Sequence, residues 1–399
     1  NWAEECQKFT PELSCVVVDG DAAHRAELAE SWPAADLVVT SYDLLRRDEA
    51  LYEGQEFYAC ILDEAQAIKN HTTQKYKAVC KVRSRVRFAL TGTPVENRLG
   101  ELWSIFSFLM PGYLPPYKSF CSRFEKPIVQ EEDQTAVRRL NQLTGPFILR
   151  RMKSDVLKEL PPKTENVYRI ELEEEQRKLY LAAVVDAREK LQAAKPEDKM
   201  AVFAVLMRLR EICCDPRLIA DNWEGGSAKL DACVELVSSA VEGGHRILLF
   251  SQFTSMLELL AKRLDAEGIS HFTLQGSTPK PVRAELVRRF NGGEVSVFLI
   301  SLRAGGTGLN LTAADIVIHY DPWWNVAAQN QATDRAYRIG QQNPVQVYKL
   351  IAQDTIEEKI VELQQAKQSL ADTVTGTADG AILSMRPDEL LQLLEGSEP

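Results

Sequence analysis

The chain has 399 residues, 45% of them apolar and 26% charged, with 47 basic against 57 acidic side chains and a formal net charge of −10. That length accommodates two or three domains of ordinary size, and the composition excludes a chain that is disordered throughout, collagenous or fibrous. The acidic balance excludes a simple cationic coat for nucleic acid or membranes, although a local basic groove stays compatible with it. Eight cysteines, at 6, 15, 60, 80, 121, 213, 214 and 233, form no CxxC and no zinc-ligand spacing, so they read as reduced thiols and no metal cluster is expected. No apolar run reaches the ~18 residues that span a bilayer and the start has no signal-peptide core, so the expectation is a cytoplasmic protein with no membrane partner. The chain opens on Asn1 rather than Met, as a fragment would.

In chain order, the first 95 residues alternate short apolar runs with polar, helix-like stretches. Strands are predicted at 14–18, 37–40, 59–62 and 87–90, each apolar on both faces and ending at a polar turn, the pattern of parallel strands between helices. Residues 98–225 carry helical periodicity broken by prolines, and 171–215 read as almost wholly helical. After Gly225-Gly226 the alternation resumes, with strands predicted at 247–250, 271–274, 297–300 and 316–319. From about Asp354 a helix and a polar tail follow. The fold class is therefore α/β, with two lobes and helical insertions between them. The predicted division is 1–97 for the first lobe, 98–225 for the insertions and linker, 226–360 for the second lobe and 361–399 for the C-terminal helix and tail.

Four segments carry chemistry. Asp63-Glu64 directly follows a buried strand, where an Asp can reach a metal ion and the adjacent Glu a water molecule, and Gln66 lies just beyond; the alternative is that the acids cap the next helix. Thr91-Gly92-Thr93-Pro94 sits at another strand end, where Gly92 permits a tight backbone and the threonines offer hydroxyls, or where there is simply a turn before a Pro-initiated helix. Arg335 and Arg338, three apart, would share a helix face with Gln331 and Gln341 nearby, and paired guanidinium groups suit a transition state that spreads charge over phosphate oxygens; the alternative is a solvated face. Ser301 to Asn310 is rich in glycine, including Gly305 and Gly306, which would let backbone amides approach phosphates. Of the adjacent Trp323 and Trp324, one is core or one stacks on DNA. Basic runs at Lys81–Arg87 and at Arg150, Arg151 and Lys153 are candidates for phosphate contacts or ordinary solvated faces.

The segments LDEAQAIKN (62–70), LTGTPVENRLGELWSIFSFLMPGYL (90–114), FILRRMKSDVLKELPPKTE (147–165), ILLFSQFTSMLELL (247–260), SLRAGGTGLNLTAADIVIHYDPWWN (301–325) and QATDRAYRIGQ (331–341) occur in this order. Together they resemble the Swi/Snf family of ATP-dependent DNA translocases, in the second helicase superfamily, from Asn1 to about Glu395, with an ending like that of bacterial members. The resemblance implies two RecA-like lobes with ATP bound between them. It implies that Asp63 ligates Mg²⁺, Glu64 activates water, and Arg335 and Arg338 act as arginine fingers. Gln331, Gly305 and Gly306 would serve the nucleotide, and Gln66, Thr91, Gly92 and Thr93 would couple its state to DNA. Ser251, Gln252, Ser301, Arg303 and Trp324 would contact DNA. The implied partner is double-stranded DNA, with DNA-bound proteins as displacement targets, in the cytoplasm at a bacterial nucleoid or in a eukaryotic nucleus.

One departure is large: the family's phosphate-binding loop, GxxxxGK followed by Ser or Thr, is absent, and no glycine here precedes a lysine. The expectation is a first lobe truncated before its next motif, so that this polypeptide alone binds ATP weakly. Two alternatives stand beside the translocase: an RNA or DNA helicase of another family in the superfamily, and a non-catalytic DNA-binding scaffold.

Overall fold

The computed structural model describes residues 2–92, 99–131, 133–151, 156–157, 159–195, 198–220, 222–305 and 308–364, together with 387, 390, 391 and 394. Their contacts divide them into two units, one within 1–149 and the other within 150–369 plus the described C-terminal positions. No helix among them is long and apolar enough to cross a membrane. None of the eight cysteines is in a disulfide.

The first unit has four strands, β1 (Cys15–Val17), β2 (Leu37–Val39), β3 (Glu56–Leu62) and β4 (Arg83–Ala89), all at expected places. They pair in parallel as two two-stranded sheets, β1 with β2 and β3 with β4. Trp32, Tyr52, Leu62, Ile68, Val79 and Phe108 form the core beneath them. The expectation of strands buried on both faces fails here: Tyr58 is 73% exposed and Phe88 51%, and Ile61 and Val86 are also exposed. Such apolar β side chains need a covering layer, and the described residues cover only the opposite side. A second small core gathers Leu102, Phe106, Phe120, Phe124 and Leu140 from helices between 99 and 144.

The second unit is built on a six-stranded, wholly parallel sheet in the order β5-β10-β9-β6-β8-β7. Its strands are β5 (Lys163–Ile170), β6 (Ile247–Ser251), β7 (His271–Leu274), β8 (Val297–Ser301), β9 (Ile316–His319) and β10 (Val345–Ala352). Every residue of β6, β8 and β9 is buried, as strands enclosed by helices on both faces must be. Separate apolar clusters lie on the two faces, one centred on Leu249, Leu257 and Leu299, the other on Leu248, Phe250 and Phe298.

The helical block expected at 98–225 is corrected in two ways. Lys163–Ile170 is a strand of the second sheet, and the helices Glu174–Ala193 and Lys199–Cys214 belong to the second unit. The strand forms no unbroken apolar run: only Ile170 is buried, and Val167 and Tyr168 are exposed alongside the polar Lys163, Thr164, Glu165 and Asn166. Its Glu165 takes ion pairs from Lys163 and Lys349, each at 2.7 Å. The helix pair packs through Tyr180, Val184, Leu206 and Leu209, and Leu390 and Leu394 join the same core.

His319, at the end of β9, is buried, stacks on Phe250 and has Nε2 2.9 Å from the Thr333 hydroxyl. Burial, with the Lys349 ammonium adding to it, pushes its imidazole down to about 3 from an ordinary 6.5. The unfolded chain therefore takes up the proton first. This contribution to stability is intact above pH 6.5 and is lost as pH falls below it, at up to about 1.4 kcal/mol per pH unit. In urea titrations over that window, His319→Gln should flatten the slope relative to the parent; equal slopes would contradict a neutral buried imidazole.

Candidate functional site

In the first unit the site grows from the β3–β4 pair. The Leu90 amide donates to the Leu62 carbonyl at 2.7 Å and the Ala65 amide to the Leu90 carbonyl at 2.9 Å, so the turns after both strands are fastened side by side. That brings Asp63, Glu64 and Gln66 next to Thr91. Glu64 sits in the left-handed region with φ 48°, a conformation that costs a non-glycine residue about 1–3 kcal/mol and is found where function holds it. The helix-cap alternative does not hold: Glu64 precedes the short 3-10 helix Ala65–Ile68 but makes no side-chain cap bond. Instead its Oε2 accepts from Gln66 Nε2 at 2.7 Å, and Gln66 Oε1 accepts from the Thr91 hydroxyl at 2.8 Å. A hydrogen-bond relay thus runs from the threonine turn to the glutamate.

Asp63 is exposed and held at three points. Its Oδ1 accepts the Glu64 amide at 2.9 Å, its Oδ2 accepts Trp2 Nε1 at 2.9 Å, and its carbonyl accepts the Tyr42 hydroxyl at 2.7 Å. Burial, reinforced by the Asp63 charge, pushes the Tyr42 phenol up, which keeps it a donor. Trp2 and Tyr42 were not singled out from the sequence, since lone aromatics far from the acidic pair carry no spacing signal. Gly92 corrects an expectation: it has no left-handed φ, and a Cβ there would meet open space, so no tight backbone demands it. Thr93 lies outside the described residues.

In the second unit the expected residues gather along the carboxyl edge of the sheet, but several are placed otherwise than expected. Arg335 and Arg338 are not on a helix: the helix Val326–Thr333 ends before them. The helix is not continued there: the Arg335 carbonyl, which a longer helix would use, accepts the Leu311 amide at 3.0 Å. Arg335 is only 8% exposed, with Nε donating to the Gly305 carbonyl at 3.0 Å, whereas Arg338 is exposed. Gln331 lies on that helix, half-buried. Gln341 is a buried turn organiser that donates to the carbonyls of Ala314 and Ala336 and accepts the amides of Gln342 and Asn343. Gly305 is required by packing, since a Cβ would come within 2.8 Å of the Phe250 ring. Gly306 lies outside the described residues.

The expected DNA contacts divide. Arg303 is exposed and Gln252 half-buried. Ser251 and Ser301, opposite one another across β6 and β8, are buried, the first with its hydroxyl 2.6 Å from Asp321 Oδ1. Trp324 is corrected most clearly: it is 4% exposed, with the Arg210 guanidinium 4.4 Å from its ring centre and Phe203 and Trp323 against it. No base can stack on a ring enclosed on these sides. Of the basic runs, Lys81 pairs with Glu49 and Arg87 donates to the carbonyls of Phe108 and Val82, while Arg83 and Arg85 are exposed and Lys153 lies outside the described residues.

This arrangement can be compared with known proteins. The SNF2-related domain matches residues 1–218, and the helicase conserved C-terminal domain matches residues 228–340. The chain belongs to the SNF2 family. An uncharacterized ATP-dependent helicase of Mycoplasma pneumoniae is 39% identical over 400 residues, covering 99% of this chain and 38% of the relative. The putative ATP-dependent helicase/translocase YwqA of Bacillus subtilis is 39% identical over 403 residues, covering 98% of this chain and 44% of the relative. The chain thus spans about two fifths of the length of these relatives. Among solved structures, the Sulfolobus solfataricus SWI2/SNF2 ATPase core in complex with dsDNA matches with a TM-score of 0.51 at 34% identity, covering 99% of this chain and 84% of that one. The α/β architecture with RecA-like lobes expected from the sequence is that of this SNF2 core.

Proposed function

We propose that this chain is the larger part of an ATP-driven motor that moves along double-stranded DNA, and that a longer polypeptide supplies the phosphate-binding loop absent from these 399 residues. The observation that carries the reading is the Thr91–Gln66–Glu64 relay beside Asp63, which joins the water-activating carboxylate to the neighbouring strand's turn. The uncovered apolar residues Tyr58, Ile61, Val86 and Phe88 support a first lobe whose remaining layer comes from elsewhere in the same polypeptide. The relatives named as ATP-dependent helicases support the nucleotide, and the Sulfolobus core with its dsDNA supports the track.

Asp63 fits Mg²⁺ by donor chemistry: it is an exposed carboxylate whose two hydrogen-bonded oxygens keep further lone pairs for a hard cation. Bound there, Mg²⁺ would neutralise phosphate charge. Glu64, fixed by Gln66, orients and deprotonates the attacking water. Arg335 and Arg338 supply positive charge to the phosphate oxygens as charge develops on them, with Gln331, Gly305 and Gly306 serving the nucleotide. Gln252 and Arg303 contact the DNA backbone, so binding is independent of sequence and weakens with salt. In this reading residues 1–97 belong to the first lobe and 226–360 to the second. Work on DNA places the protein with the chromosome, in a bacterial cytoplasm or a eukaryotic nucleus.

The test is ATP hydrolysis by the full-length protein with duplex DNA, single-stranded DNA and structured RNA. Stimulation by duplex DNA that declines as salt rises is the expected result. Preferential stimulation by RNA would move the protein to another helicase class, and the absence of any hydrolysis would leave a DNA-binding scaffold.

A further inference from the structure

Arg210 lies on the helix Lys199–Cys214, at a position on the apolar stripe that also buries Leu206, Leu209 and Cys213. Its side chain is wholly buried, as is that of Asp321, the residue that follows β9 and Tyr320. One guanidinium nitrogen, Nη2, donates to Asp321 Oδ2 at 3.2 Å and to the Pro322 carbonyl at 2.5 Å. The guanidinium carbon lies over aromatic rings, with ring centres at 4.4 Å for Trp324, 5.5 Å for Phe253 and 5.8 Å for Trp323. Its Nε and Nη1 have no hydrogen-bond partner among the described residues. Cation–π contacts with three rings and two hydrogen bonds from the single nitrogen Nη2 therefore hold this cation.

The other oxygen of Asp321 faces the opposite way. Oδ1 accepts the Ser251 hydroxyl at 2.6 Å and the Gln252 amide at 3.2 Å, and the Ser251 hydroxyl in turn accepts the Phe253 amide at 3.1 Å. One carboxylate thus ties the turn after β6 to the turn after β9, and Arg210 fixes that carboxylate from the adjoining helix. The Ser251–Gln252 backbone is set by Asp321, and Asp321 by Arg210.

We propose that Arg210 is a positioning residue that, through Asp321, sets the Ser251–Gln252 turn at the height at which the second unit grips the DNA backbone. The inference rests on the DNA-motor reading above and adds to it a control point in the helical pair. A loss of about 1.4 kcal/mol in the turn's contact with DNA is a tenfold change in affinity, and the buried charge pair resists displacement because neither partner can leave the other without being stranded.

The experiment uses the full-length protein and three readouts: hydrolysis without DNA, the duplex concentration that half-saturates stimulation, and the urea midpoint of unfolding. Arg210→Lys keeps the charge on a shorter side chain and withdraws the guanidinium from the three rings. The pair Arg210→Met with Asp321→Asn removes both charges, so no ion is stranded, and leaves an amide oxygen to accept from Ser251. In each, the half-saturating duplex concentration should rise at least about tenfold, with DNA-free hydrolysis within about twofold of the parent. Unchanged half-saturation in a folded variant, or a parallel loss of DNA-free and DNA-stimulated rates with a lowered urea midpoint, would show Arg210 to be structural only and overturn the proposal. The parent protein separates the two layers: if duplex DNA does not stimulate it at all, the motor reading itself falls and takes this inference with it.

Discussion

Replacing Glu64 with glutamine in the full-length protein is expected to lower DNA-stimulated ATP hydrolysis by about 10²–10⁴-fold, while ATP binding stays close to that of the parent. The amide has the shape of the carboxylate and can still accept from Gln66, whose bond to Glu64 is 2.7 Å. The left-handed backbone at φ 48° is unchanged, because glutamine and glutamate have the same steric demands there. What is lost is the capacity to take a proton from water. Single-turnover hydrolysis alongside nucleotide binding separates the two effects. Hydrolysis within about twofold of the parent would remove Glu64 from the chemistry and with it the role assigned to the relay from Thr91.

The second large effect concerns stability. Lys229 and Glu357 form an ion pair in which both side chains are wholly buried, with the ammonium over the Tyr320 ring. Glu357 Oε2 also accepts the Ala352 amide at 2.9 Å, so it anchors the end of β10. Burial pushes the Glu357 carboxyl up, and the Lys229 ammonium opposes it. Removing only the cation strands a carboxylate in the interior, and Lys229→Met is expected to cost about 3–5 kcal/mol. The double replacement Lys229→Met with Glu357→Gln strands no charge and keeps an acceptor for the Ala352 amide, so it should recover most of that loss. Urea unfolding of the parent, the single and the double variants measures both values. Additive losses in the double variant would show that the two side chains contribute separately.

The corrections share a physical pattern. Strands β6, β8 and β9 were legible because they are buried on both faces, and such strands write their position as unbroken apolar runs. β5 and β10 were not: seven of the eight residues of β5 are exposed, and in β10 the polar Gln346 and Lys349 interrupt the apolar residues, so neither forms an unbroken apolar run. Arg335 and Arg338 have helical spacing, yet the helix stops short of them, where the Leu311 amide takes the Arg335 carbonyl that a continuing helix would use. Asp321 had a readable signal, an acid directly after an apolar strand, the same signal that marked Asp63. Arg210 had one too, a lone cation on the buried stripe of a helix.

The sequence by itself determined the family, the α/β class and the places of the acidic pair, the threonine turn and the two arginines, because each is a local run with its chemistry intact. Tertiary structure alone decided which groups work as units: Thr91 with Gln66 and Glu64, Trp2 and Tyr42 with Asp63, Arg210 with Asp321 and Ser251. It also enclosed Trp324 in a core while leaving Tyr58 and Phe88 exposed. The reason is physical: hydrophobic periodicity and turn chemistry act over a few residues, whereas all of these pairings except Gln66 with Glu64 join positions more than twenty residues apart that meet only in the folded chain.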